Sequence, residues 1–377
     1  MDFILLLLWL SLAAFFLTTA LAAMIRYRPP VPSVGEVPSC SIILPIKGVS
    51  EFLESNLRAL VRLAPFRGEI LLAVASEDDP ACSVIRRVLA EGGHDAKLLI
   101  GEDADYVNPK LRNVSKAYQA AREDIIVFLD DSVALDGGLF TELVQELKPG
   151  VVAVTAAPRG EDAASFWSAV EAATCNGYLF RIQMFLEIFG LAAAFGNAFA
   201  FRKADLETVG GFRRLQDGPC EDSAIATALR ETGKRLTLLR SGVRRRIGWR
   251  SWHDIYLRHL RWASCTKVHD PAVFFVEPLI GGLVFNLLGA YVLSQLLVIP
   301  AANALLVSAA LWYGVESLLH LVCRWPLSLL SLPAWIARDL LQPVFMIGAR
   351  LTNQVQWRGI SVAMNREPVA KRQRGNV

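Results

Sequence analysis

Residues 125–132 read IIVFLDDS: the apolar run Ile125–Leu129 is followed at once by Asp130, Asp131 and Ser132. A short apolar run rich in β-branched and aromatic residues reads as a strand buried on both faces. Two adjacent carboxylates at such a strand's end need a reason, because like charges repel and raise each other's pKa. A divalent cation supplies one, since Mg²⁺ or Mn²⁺ takes carboxylate oxygens together with substrate phosphates. Turns and helix N-caps favour Asp for ordinary reasons, so the pair alone decides nothing.

Working upstream, Ser41–Ile46 (SIILPI) is a strand and Glu51–Leu63 has helical periodicity. Glu69–Ala75 is a strand, Ala81–Glu91 a helix, Ala96–Ile100 a strand and Lys110–Arg122 a helix. Downstream, Val151–Thr155 is a further strand. The alternation predicts an α/β domain built from βαβ units on a mostly parallel sheet. Ligands of such sheets sit beyond the carboxyl ends of the strands. No GxGxxG and no P-loop lysine motif occurs, which removes the main support for dinucleotide and NTPase readings.

The chain has 377 residues, 53% hydrophobic and 20% charged. The excess apolar content is concentrated: Phe3–Ile25 and Pro278–Val315 carry no charge. Both runs exceed the roughly 20 residues that cross a bilayer. The roughly 250 residues between them suffice for one domain with its own core. Phe3–Ile25 has no basic residue ahead of it and Arg26 and Arg28 behind it, so it predicts an uncleaved anchor with the following domain on the cytoplasmic side. Pro300 splits the second region into Leu279–Ile299 and Ala301–Val322, a hairpin of two spans. Leu327–Gly348, interrupted by Pro333, Arg338, Asp339 and Pro343, reads as interfacial or re-entrant rather than spanning. Phe166–Phe201 reads as partly membrane-facing, and Glu316 and His320 as facing the acceptor or packing within the hairpin.

The net charge of +3 does not suggest nucleic-acid binding. The stretch from Lys234 to Arg250 holds seven basic residues and no acid, which reads as a contact with anionic headgroups or as a solvated face. The six cysteines show no CxxC or CxxH and read as free buried thiols of a reducing compartment.

Two further acidic sites leave secondary structure: Glu77-Asp78-Asp79 after a strand, and Glu221-Asp222 at a helix start. Ser251–Thr266 reads as a helix with a capping box between Ser251 and Asp254. Arg258, Arg261 and Trp262 share one of its faces. Two guanidiniums there can clamp a diphosphate, with Trp262 as a flat wall.

The order Asp79, Asp131, Asp222 and then Arg-x-x-Arg-Trp resembles the inverting, family-two type of glycosyltransferase. More closely, the chain is similar to the ceramide glucosyltransferase family, as a bacterial member. The matching stretches include Leu44–Val49, Asp78-Asp79-Pro80, Asn108-Pro109-Lys110 with Asn113, Asp130-Asp131-Ser132, Gly196, Arg202-Lys203, Glu221-Asp222, Arg258–Trp262 and Trp357-Arg358. The resemblance implies a GT-A type nucleotide-sugar-binding domain with UDP-glucose as donor, Mg²⁺ or Mn²⁺ as metal and a membrane lipid hydroxyl as acceptor. It implies that Asp79 touches uridine and that Asp131, with Asp130, holds the metal or diphosphate. Lys110 falls on the donor side, Asp222 is the base, and Arg258, Arg261 and Trp262 hold the diphosphate and the acceptor side.

Cys175–Ala194 departs from the animal enzymes in lacking their His-Pro-Arg stretch. Ceramide is the expected acceptor, and similar bacterial proteins that act on diacylglycerol, sometimes processively, or on hopanoids are the alternatives. A polysaccharide synthase shares the acid and Arg-Trp signatures, but the spans here are few for a polymer channel. A non-catalytic membrane scaffold would be favoured by a missing acidic site, and none is missing. The expected organisation is an anchor (1–28), a GT-A domain (39–250), an interfacial helix (251–275), a hairpin with an interfacial segment (276–348) and a basic cytoplasmic tail (349–377).

Overall fold

A computed structural model describes residues 3–30, 37–216 and 220–364. The chain opens with α1 (Phe3–Arg26), then alternates through β1 (Cys40–Ile46), α2 (Leu53–Val61), β2 (Gly68–Val74), α3 (Ala81–Ala90), β3 (Ala96–Ile100), α4 (Pro109–Ala120) and β4 (Ile125–Leu129). The boundaries fall within a residue or two of those read from the apolar runs. Next come β5 (Val133–Ala134), α5 (Gly137–Gln145), β6 (Val151–Thr155), β7 (Pro158–Ala163) and α6 (Phe166–Ala173). A π-helical turn (Thr174–Phe180) leads into α7 (Arg181–Leu186), β8 (Ala198–Arg202), α8 (Lys203–Thr208), α9 (Glu221–Arg230), β9 (Arg235–Leu238) and β10 (Val243–Gly248). The remainder is α10 (Trp252–His269), α11 (Pro271–Val276), α12 (Gly282–Leu297), α13 (Ala301–Val322), α14 (Ser331–Leu351) and a hairpin, β11 (Gln354–Trp357) and β12 (Ile360–Ala363).

The main sheet runs β3-β2-β1-β4-β8-β6-β9. It is parallel except for β8, which is antiparallel to both β4 and β6. Successive side chains point to opposite faces. Ile42, Leu44, Ile70 and Leu72 therefore join one buried cluster, while Ile43, Leu71, Phe128 and Phe201 join the other. Burying each such side chain contributes about 1.5–3 kcal/mol. The reversed β8 has a functional consequence. Ala198 pairs with Leu129, so Gly196 and Asn197 reach the sheet edge at which Asp130 leaves β4.

A small sheet, β5-β10-β7, lies beside this edge. It corrects the reading of the basic stretch 234–250. Strand alternation turns Arg245 inward, while Arg244 pairs with Glu161 at 2.8 Å and Arg246 with Asp162 at 2.8 Å. Arg245 is buried against the protein's own carboxylate, so neither reading holds for it, whereas Arg244 stays exposed, as on a solvated face.

Among the described residues three helices are long and apolar enough to cross a membrane: Phe3–Arg26, Pro271–Leu297 and Ala301–Val322. They pack through Trp9 on Phe285 and Phe16 on Trp312, and leave Leu17, Leu21, Leu306 and Leu318 exposed. Segment 327–348 lies mostly within α14, a single helix that continues through Pro343. Its Arg338 is buried against Glu316 of α13 at 2.5 Å, so Glu316 serves packing within the helical bundle. His320 is likewise buried, beside Trp325 and Trp335.

The reading of 166–201 as membrane-facing is corrected in its second half, because β8 lies inside the sheet and Ala198–Phe201 are fully buried. Residues 349–363, read as tail, are instead the last turn of α14 and the β11–β12 hairpin. Residues 31–36 and the tail from 365, with Lys371, Arg372 and Arg374, lie outside the described residues, as does the side chain of Trp357.

Candidate active site

A cavity of about 720 Å³ lies at the sheet edge where β4 ends and β8 begins, under α10. Lys110, Asp130, Asp131, Asp222, Arg258, Arg261 and Trp262 all line it. Residues spread over more than 150 positions of sequence thus meet in one space.

Asp79 is the exception. It does not line the cavity, and its carboxylate accepts the Gly48 N–H at 2.9 and 3.0 Å and the Ala81 N–H at 2.9 Å. It thereby holds the turn Lys47-Gly48-Val49, which does line the cavity. Gly48 sits at φ +67°, a conformation that favours glycine.

Asn108 caps α4 by accepting from the Lys110 N–H at 2.8 Å. The Lys110 ammonium lies 2.8 Å from Asp130 Oδ1 and 2.5 Å from Glu221 Oε1. Burial would lower this lysine, but Asp130 and Glu221 reverse the sign and keep it charged. Burial likewise opposes ionisation of Asp130, yet Lys110 outweighs it and holds that carboxyl below the usual range. Asn197 donates to Asp130 Oδ2 at 3.1 Å. Asp131 turns the other way: its Oδ2 lies 2.7 Å from Arg358 Nη2, and its backbone carbonyl accepts from Asn56 at 2.8 Å.

Asp222 stands in the first turn of α9. Its Oδ2 accepts the Gly196 N–H at 2.9 Å and its Oδ1 the Ser223 N–H at 2.7 Å. Protein atoms surround it while its carboxyl keeps access to the cavity. Burial, then the charge of Glu221, push it up to about 6. A carboxylate tuned close to neutral pH is suited to accept a proton. A Cβ on residue 196 would stand 3.0 Å from Glu221, 3.3 Å from Lys110 and 3.4 Å from Asp222, so these three side chains would have to give by a few tenths of an ångström.

Ser251 and Asp254 form the expected capping box of α10. The helix does not use its two arginines alike. Arg258 lies 3.5 Å from Glu171, and burial brings it down to about 10. Arg261 makes no ion pair among the described residues, and its nearest opposite charges are Glu221 and Asp130. Arg261 is therefore the guanidinium left for an incoming anion. Trp262 covers Arg245, whose guanidinium carbon lies 5.3 Å from the ring centre.

Sequence reasoning missed Glu171 and Arg245 and gave Arg358 no role. Glu171 is fully buried on α6, 2.8 Å from Arg245. Burial would raise its pKa, but Arg258, Arg245, His259 and Arg250 overcome this and hold it at about 2. Period-two alternation in 243–248 was the one signal for Arg245. Cys220 and Cys265 form a disulfide, Cα atoms 6.2 Å apart, which corrects the reading of six free thiols. It ties the start of α9 to α10, so Asp222 and the arginines share one frame. Cys40, Cys82, Cys175 and Cys323 are buried and free.

The sequence profile of Glycosyl transferase family 21 matches residues 5–370. The chain belongs to this family. Ceramide glucosyltransferase 3 of Caenorhabditis elegans is 24% identical over 340 residues, 88% of this chain and 74% of that protein. Ceramide glucosyltransferase 1 of the same organism is 26% identical over 266 residues, 69% of this chain and 56% of that protein. Among solved structures, the mannosyltransferase PcManGT from Pyrobaculum calidifontis, in complex with GDP-Man and Mn²⁺, superposes with a TM-score of 0.56 at 17% identity. That superposition covers 92% of this chain and 98% of that one, and the two share their fold. This family 21 member is a glycosyltransferase, and its α/β domain has the GT-A type architecture.

The donor set fits a hard divalent cation in one specific way. Among the described residues no three His, Cys, Asp or Glu side chains cluster to hold a metal unaided. Mg²⁺ and Mn²⁺ sites that also take substrate phosphates need only one or two carboxylates. Asp131 and Asp130 supply that number beside the cavity.

Proposed function

We propose that this glycosyltransferase moves glucose from UDP-glucose, with inversion, to the primary hydroxyl of ceramide in a bilayer. The observation that carries the reading is the place of Asp222, in the first turn of α9 and held by the Gly196 N–H, in the cavity that also holds the uncommitted guanidinium of Arg261. The similarity to two ceramide glucosyltransferases supports lipid and sugar.

In the proposed reaction the acceptor hydroxyl oxygen attacks the sugar's anomeric carbon on the face opposite the nucleotide. Asp222 takes the hydroxyl proton, a contribution of roughly 10²–10⁴ in rate. The bond from the anomeric carbon to the diphosphate oxygen breaks, and its electron pair leaves with UDP. An α-linked donor gives a β-linked product. Arg261 faces the growing negative charge, and Arg358 and Lys110 lie at the same end of the cavity. Asp131, with Asp130, would hold Mg²⁺ or Mn²⁺, which when bound offsets diphosphate charge. Asp79 supports the uridine side through the Gly48 turn, and Arg258 and Trp262 form the wall beneath the acceptor.

The three apolar helices would cross the cell's inner membrane, with Arg26 and Arg28 keeping the catalytic domain on the cytoplasmic side. Expression in a host without glycolipids, followed by lipid mass spectrometry, tests the whole reading. A monohexosyl ceramide is the expected product. Hexosylated diacylglycerol or hopanoid would replace the acceptor, and a water-soluble polymer would overturn lipid transfer.

A further inference from the structure

The cavity extends beyond the arginines to the membrane-side helices. There Tyr178 of the π-helical turn, Glu277 ahead of α12 and Gln342 of α14 line it together. Tyr178 Oη and Gln342 Nε2 both donate to the Glu277 carbonyl, at 3.5 and 3.4 Å. The Glu277 carboxyl belongs to the same lining as this phenol and this carboxamide.

Glu277 is the one charged residue of Pro271–Leu297, a segment apolar enough to cross a membrane. Glu277 has no ion pair among the described residues, and Arg338, which also lines the cavity, is committed to Glu316 at 2.5 Å and Asp339 at 2.9 Å. An acid in such a segment is costly and marks a functional position. Packing alone would be met by an apolar side chain. Glu277 is the seventh residue of that segment. Leu179, Phe345 and Met346 add an apolar wall for the base of the chains.

We propose that Tyr178, Glu277 and Gln342 form the subsite for the acceptor's head. They select an uncharged lipid that carries, beside the hydroxyl offered to Asp222, a second hydrogen-bond donor: an amide N–H or another hydroxyl. This deepens, and rests on, the lipid-transfer reading above. A phosphorylated head would be desolvated there beside a carboxyl, with Arg338 already committed to Glu316 and Asp339. A lipid with one hydroxyl and only ester oxygens, such as diacylglycerol, leaves the acceptor groups unmatched, and sites built to bond a donor reject analogues lacking it.

The test uses the full-length protein in nanodiscs with UDP-glucose and three acceptors: an N-acyl sphingoid base, a long-chain polyol and a diacylglycerol. At least one of the first two should exceed diacylglycerol at least tenfold in kcat/KM; since the sphingoid base carries both an amide and a second hydroxyl, use of the polyol as well assigns the hydroxyl, and use of the sphingoid base alone the amide. In Tyr178→Phe, Glu277→Gln and Gln342→Met proteins with wild-type melting temperature, that preference should shrink at least threefold, chiefly through the acceptor KM. Equal use of diacylglycerol by the wild type, or undiminished preference in folded Tyr178→Phe and Gln342→Met, overturns the subsite. Donor turnover without transfer to any lipid would overturn the lipid-transfer reading itself, an outcome distinct from lost preference.

Discussion

Arg358 Nη2 lies 2.7 Å from Asp131 Oδ2, joining residues 227 positions apart. The contact depends on a two-residue hairpin turn. Arg358 and Gly359 have φ of +46° and +80°, and positive φ at both central positions matches the twist of the flanking strands. Val355, Val362 and Met364 pack this hairpin against Cys220. A segment read from sequence as a tail thus places a cation over the acid expected to face the diphosphate.

Arg358→Ala is therefore expected to weaken UDP binding about tenfold, roughly 1.4 kcal/mol. Its effect on stability should stay below about 1 kcal/mol, because the Arg358 side chain is 36% exposed. Calorimetric titration with UDP checks the first and thermal unfolding the second. Unchanged UDP affinity would remove Arg358 from the donor site.

Asp222→Asn should retain UDP-glucose binding and lose transfer by at least about 10²-fold. As the proposed base Asp222 acts only when deprotonated, and burial, then the charge of Glu221, push it up to about 6. In the wild type kcat/KM should thus be flat above that pH and fall about tenfold per unit below it. A carboxyl raised from 3.8 to about 6 costs the folded state stability progressively as pH rises between those values, and in full above the upper one. The Asn protein should accordingly unfold later than wild type at neutral pH, by about 1–3 kcal/mol. Near-normal turnover in the variant would withdraw the assignment.

Glu171→Gln leaves three arginines without their buried counter-charge and should cost about 3–5 kcal/mol. Its folded pKa is depressed from 4.5 to about 2, so its contribution is present above the unfolded value and disappears as pH falls through that window. Wild type and variant should converge in stability at the acid end of a pH series of melting temperatures. Arg261→Ala, which breaks no ion pair, should behave oppositely, with weaker UDP affinity and an almost unchanged melting temperature.

Opening the Cys220–Cys265 bridge should loosen α9 against α10. A closed loop of 45 residues corresponds to about 4 kcal/mol of denatured-state restriction. A Cys220→Ser, Cys265→Ser protein should melt earlier and bind UDP less tightly, and reductant should reproduce this in wild type. Both cysteines line the cavity, which gives small thiols access. A cytoplasmic catalytic domain would meet such thiols, since that compartment keeps most cysteines reduced. Alkylation of unreduced membranes, read by mass spectrometry, reports whether the pair is closed in the cell.

Much of the fold was legible because its signals are local. Apolar runs of five to seven residues announced β1, β2 and β4. The uninterrupted apolar stretches announced α1, α12 and α13, and Ser251 with Asp254 announced the start of α10. The antiparallel β8 was not legible. Its AFAFR sequence, inside a Phe- and Ala-rich stretch, looks the same whether it faces lipid or the middle of a sheet. Arg245 was hidden for a related reason, because its outward neighbours on β10 carry the same charge.

The sequence by itself determined the α/β alternation, the apolar helices and the types of residue that carry the chemistry. Periodicity and composition act over a few neighbouring residues and survive in the bare string. Only the tertiary structure decided that Lys110 stands between Asp130 and Glu221, that Glu171 occupies Arg258 and leaves Arg261 uncommitted, and that Arg358 reaches Asp131. Those relations depend on strand order, a reversed strand and a returning hairpin, and the charges that meet there are too far apart in the chain to leave a local mark.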